Sequence, residues 1–66
     1  MKNVITTLII AYYNLGVQYE FLNDYDQAIL HYRDAIAVSK NDTTMPIIQT
    51  IYNNINEIKS KITSRN

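Results

Sequence analysis

At 66 residues the chain has room for one domain, and a domain that small is only marginally stable unless something staples it. It contains no cysteine, which excludes a disulfide staple, a thiolate zinc site and a thiol nucleophile. Six basic side chains balance six acidic ones, and a neutral chain without basic clusters has no electrostatic footprint for nucleic acid or an anionic membrane.

One glycine and one proline leave few breaks, so long helices are expected. The first covers residues 3–22. Its start, Lys2 followed by an apolar run over 4–13, faintly imitates a signal peptide. The run is too short to cross a bilayer, is interrupted by Thr6 and Thr7, and lacks a small-residue cleavage site. It is read as the first helix of an intracellular, cytoplasmic protein, because one stripe continues through it: Leu8, Tyr12, Leu15, Gly16, Tyr19 and Leu22, in helical steps. Asn23, tolerant of the left-handed conformation, ends that helix. Asp24 is a suitable N-cap for the next, with Gln27 placed to complete a capping box.

The second helix is expected over 25–39, with Tyr25, Ala28, Ile29, Tyr32, Ala35 and Ile36 on one face. A polar, turn-like stretch, Lys40-Asn41-Asp42-Thr43-Thr44, follows. Pro46 then fits the first turn of a third helix over 45–63, where its missing N–H costs little. That helix carries the most regular stripe: Ile48, Ile51, Ile55, Ile58 and Ile62. Two readings are open. The stripe is either a face laid on the preceding hairpin or an a/d seam that joins copies of the chain, and isoleucine at both positions favours more than two strands.

The first two helices resemble the tetratricopeptide repeat. That family follows W-x2-L-G-x2-Y, then A-x3-F, a further Ala and a Pro. Here the sequence reads Tyr12-x2-Leu15-Gly16-x2-Tyr19, then Ala28-x3-Tyr32, then Ala35, over residues 9–42. Small Gly16 and Ala28 let antiparallel helices approach, and Ala35 leaves room for the next helix. Tyr12 stands in for the Trp. Lys40 occupies the place of the terminal Pro, and Pro46 comes a few residues late, which shifts the register of the third helix.

The resemblance implies an all-α fold: an antiparallel helical hairpin followed by a third helix, a fragment of a right-handed α–α superhelix. Residues 3–42 make the hairpin, 43–63 a capping or solvating helix, and 64–66 a tail. Such repeats bury a continuous core only by stacking, usually about three of them. A single hairpin with one extra helix is therefore expected to rely on a partner: copies of itself, further repeats of a longer parent protein, or a larger assembly.

No catalytic constellation is present. His31, the sole histidine, lies on the polar side of the second helix beside Asp34 and reads as a solvated surface residue without a Ser or Cys partner. Asp24 and Asp26 lack the spacing of a calcium loop and suit a helix N-terminus. Gly16 has no glycine-rich run around it to cradle a phosphate. Lys59, Lys61 and Arg65 complement the negative end of the third helix. Neither cofactor nor metal is expected.

In the resembled family the first helix of a hairpin lines a concave groove. By position, the groove residues here are Ile10, Tyr13, Asn14, Val17, Glu20 and Phe21. Ile10, Tyr13, Val17 and Phe21 make a second apolar face, and a helix apolar on two sides is normally covered on both. One cover is the third helix or a neighbouring repeat; the other is a protein partner, as an apolar peptide or an amphipathic helix. One branch of the family clamps acidic chaperone tails with Lys, Asn and Arg. Of that clamp only Asn14 has a counterpart, since Tyr13 and Val17 stand where Lys and Asn belong.

Overall fold

A computed structural model describes residues 2–64. Three helices account for nearly all of them: α1 (Lys2–Phe21), α2 (Tyr25–Val38) and α3 (Pro46–Ser64). Arg65, assigned to the tail and to the basic helix end, lies outside the described residues.

The first turn forms where the residues demand it. Asn23 takes φ 60°, and the Asp24 N–H closes onto Tyr19 O at 2.9 Å, tying off the carbonyl end of α1. Asp24 then caps α2 by accepting from the Gln27 N–H at 3.4 Å. The capping box is only half made, because the Asp24 N–H that Gln27 was expected to engage is already bonded to Tyr19. With three residues between them, α1 and α2 run antiparallel and pack along their length.

The second turn is longer. Lys40 and Asn41 both take positive φ, 57° and 58°, and the Asn41 N–H bonds to Ile36 O at 3.0 Å. Asp42 accepts from both the N–H and the hydroxyl of Thr44, and these bonds hold its carboxyl below the usual carboxylate range. Pro46 opens α3 as the sequence predicts. The Tyr52 hydroxyl reaches back to Asn41 Oδ1, and the Gln49 amide to Thr43 O, so α3 is tied to the turn that precedes it.

α3 lies mainly against α2. The core joins Ile9 of α1, Ala28, Tyr32 and Ala35 of α2, and Ile48, Ile51, Ile55 and Ile58 of α3. Four of the five seam isoleucines are thus occupied inside the chain; Ile62, in the last turns of α3, is 37% exposed. Packing between copies through this seam would have to uncover the core first.

Two expectations about α1 are corrected. Leu8, Leu15 and Leu22 of the anticipated stripe are exposed, and the residues turned to α2 are Tyr12, Gly16 and Tyr19 of that stripe together with Ile9. The helix is apolar around most of its circumference, so spacing alone did not select the buried side. Gly16 also serves differently: it makes room for the Tyr32 ring. A Cβ placed on Gly16 would lie 2.4 Å from Tyr32 Cε1.

Candidate functional site

A recess opens beside α1, lined by Tyr13, Val17, Glu20 and Phe21, with Asn23 from the turn and Asn54 and Lys61 from α3. Four of the six anticipated groove residues therefore meet in one place. Ile10 and Asn14 are exposed further along α1, outside the lining. Phe21 is 83% exposed, the most open large apolar side chain of the described residues.

The inner wall of the recess is polar. The Tyr32 hydroxyl donates to Glu20 Oε1 at 2.8 Å and accepts from the Asn54 amide at 3.2 Å. Lys61 Nζ stands 3.8 Å from Glu20 Oε2 and 5.9 Å from the centre of the Tyr25 ring. All three helices contribute: Glu20 from α1, Tyr32 from α2, Asn54 and Lys61 from α3. The carboxylate and ammonium nearly cancel, so the recess is close to neutral. With Lys61 exposed and 3.8 Å away, the ion pair contributes little to stability, about 0–1 kcal/mol. Tyr13 leans against Tyr32, ring centres 6.0 Å apart.

Spacing along α1 located the apolar rim and missed the polar wall. Asn54 and Lys61 are seven residues apart on one edge of α3, beside the isoleucine stripe. Nothing local in the sequence says which edge of α3 turns toward α1.

Burial, with the hydrogen bond to Glu20, pushes the Tyr32 phenol well above the ordinary tyrosine range. The folded state thus favours the neutral phenol. Its contribution is complete below the unfolded value near 10 and is lost as pH rises above that. Thermal unfolding is expected to show a midpoint that declines above about pH 10. In Tyr32→Phe the midpoint should be lower at neutral pH and the alkaline decline shallower, as followed by circular dichroism.

On the other flank of α1, His31 corrects a further expectation. It is a half-buried residue stacked between Tyr19 and Tyr12, ring centres at 5.3 and 6.4 Å, and its Nδ1 is shielded from solvent without a hydrogen-bond partner. The Asp34 carboxylate approaches that nitrogen to 3.5 Å without the geometry of a hydrogen bond. The polar pattern of α2 concealed this because the covering tyrosines belong to α1. Among the described residues no three His, Asp or Glu side chains gather as a metal site requires.

The family model of the tetratricopeptide repeat matches residues 9–42. The chain belongs to the tetratricopeptide-repeat family. The matched residues contain α2, most of α1 and the start of the second turn, while α3 lies outside the match. Tetratricopeptide repeats generally mediate contacts between proteins and are typically non-catalytic. No curated protein and no solved structure matches the chain. Among the described residues no helix is long and apolar enough to cross a membrane.

Proposed function

We propose that the chain is a non-catalytic scaffold within a larger intracellular, cytoplasmic assembly, and that it holds a protein partner on the α1 face formed by Ile10, Tyr13, Asn14, Val17, Glu20 and Phe21. The observation that carries this is the exposure of Phe21 at the mouth of a recess whose wall is polar. An apolar anchor beside groups able to bond a backbone suits an extended apolar peptide or an amphipathic helix. The near-neutral wall gives a strongly acidic or basic peptide no particular advantage.

Affinity purification from the native source with wild-type and Phe21→Asp chains tests the reading. Phe21 is already in water, so its replacement is expected to leave helicity intact while partner recovery falls about tenfold or more. Val17→Asp, deeper in the recess, should do the same at some cost in stability. Equal recovery by the folded Phe21→Asp chain would place the partner elsewhere.

A further inference from the structure

α1 has a third apolar side. One side faces α2 and another borders the recess. The third presents Val4, Leu8, Ala11, Leu15, Gln18 and Leu22, in steps of four, three, four, three and four. All six are exposed. Leu22 extends the helical ladder past α1 through its N–H to Gln18 O at 3.1 Å. This is the a/d spacing of a two-helix seam, about 27 Å long at a rise of about 1.5 Å per residue. The residues beside it, Ile5, Thr7, Tyr12, Asn14, Tyr19 and Phe21, are uncharged. α1 has only two charged residues, Lys2 and Glu20, and Glu20 is engaged with Tyr32 and Lys61 in the recess. Depletion of charge marks the buried centre of protein interfaces.

We propose that this face pairs with a second copy of the chain, α1 against α1, antiparallel about a two-fold axis. A two-fold contact needs one patch that complements itself. The step pattern reads the same in both directions, so reversing one helix brings every seam residue opposite another. Val4 meets Leu22, Leu8 meets Gln18, and Ala11 meets Leu15, each pair occurring twice. Every layer sets a larger apolar side chain against a smaller or polar one. The relief agrees. Val4, Thr7, Leu8 and Ala11 surround a shallow apolar hollow, the four-residue hole that receives one knob from a facing helix. In this register Gln18 of the second copy enters the hollow, with its Leu15 and Leu22 closing over Ala11 and Val4. Zero net charge removes long-range repulsion between copies. Ile48, Ile51, Ile55 and Ile58 of α3 are buried, whereas this stripe on α1 is open to a mate. A single pair of helices makes a narrow contact, so dissociation is expected in the micromolar range.

Sedimentation equilibrium on the full chain, from roughly 1 µM to 1 mM, tests this. The expected result is a monomer–dimer equilibrium that Leu15→Glu weakens about 100-fold or more. Helicity should be unchanged, because Leu15 is already 42% exposed. Orientation is read independently on chains with the seam otherwise intact. The protein has no native cysteine, so an equimolar mixture of Leu8→Cys and Gln18→Cys chains is expected to cross-link mainly as the unlike pair. A chain monomeric at the highest concentration overturns the proposal and leaves the face to a helix of another protein. A dimer that resists Leu15→Glu, or cysteines that join mainly like to like, overturns it equally. Phe21 flanks the seam at the position of Thr7 and Asn14, whereas Val17 lies on the far side of α1, so Val17→Asp should lower partner recovery and leave the dimer intact, which makes the two losses separable.

Discussion

Ile55→Asp is expected to unfold the chain, with helical circular dichroism lost at ambient temperature. Ile55 is 5% exposed and lies in the cluster that includes Ile48, Ile51 and Ile58. The substitution removes the transfer energy of a buried isoleucine, about 2–5 kcal/mol with its cavity. It also places a carboxylate in a cluster that holds no charged side chain, and burying a charge there costs several kcal/mol more. A core in a chain this short supplies roughly 3–5 kcal/mol in total, so either loss is severe and together they exceed it. Ile62→Asp is the internal control. It lies on the same stripe with the same chemistry but is 37% exposed, and its effect should stay within about 0.5–1 kcal/mol. Were 48–62 instead a seam between copies, Ile55→Asp would yield a monomer of full helicity, and Ile62→Asp would also dissociate the assembly. Far-ultraviolet circular dichroism with sedimentation on the two variants distinguishes the cases.

The features legible in the sequence are the local ones. Asn23 and Asp24 mark a turn because their preferences, left-handed backbone and N-cap, are properties of single residues. Pro46 opens a helix for the same reason. Ala28 and Ala35, small residues at positions of close helix approach, are both fully buried. The isoleucine stripe of α3 was legible as a stripe because the rest of that helix is polar. The errors fall where a residue's surroundings come from another element. α1 has apolar residues on three sides, so helical spacing fits more than one face; which face meets α2 depends on Tyr32, sixteen residues beyond Gly16. His31 looks solvated on the wheel of α2 until Tyr12 and Tyr19 close over it. The candidate site divides in the same way. Its apolar rim lies on one helix and was visible as a periodic face, whereas its polar wall draws on three helices and appears only once they are packed.

This distribution also bears on how the hairpin and its third helix stay folded. The chain is elongated, 44 × 21 × 14 Å, and all the side chains of its core except Ile9 come from α2 and α3. α1 contributes fewer buried groups than its apolar content allows, because two of its three apolar sides are turned outward. Both proposed contacts lie on that helix. Covering either removes apolar area from water, at about 25 cal/mol per Å², in a molecule whose internal reserve is small. Each contact is therefore expected to raise the thermal midpoint as it fills, by mass action.

Gly16→Ala is the smallest change with a large expected effect, and its sign runs against helix propensity. In an exposed helix interior the substitution stabilises by about 1 kcal/mol. Here the added methyl would lie 2.4 Å from Cε1, 2.5 Å from Cδ1 and 2.9 Å from Cζ of Tyr32, three atoms of one rigid ring. The ring cannot swing aside cheaply. It is fully buried, Tyr13 leans on it, and its hydroxyl is held between Glu20 and Asn54. Relief requires moving α1 away from α2 or breaking those bonds, and overpacking of this kind costs about 1–3 kcal/mol, occasionally more. The net expectation is a destabilisation of up to about 2 kcal/mol after the propensity gain, a large share of the stability available. A double-mutant cycle by urea unfolding isolates the cause. In a Tyr32→Leu background the ring is gone, and Gly16→Ala should become neutral or stabilising, so the two substitutions are non-additive by more than about 1 kcal/mol. An equal penalty in both backgrounds would show that Gly16 is needed for the backbone of α1 itself. The coupling would then not exist, and the placement of Tyr32 over Gly16 would have to be abandoned.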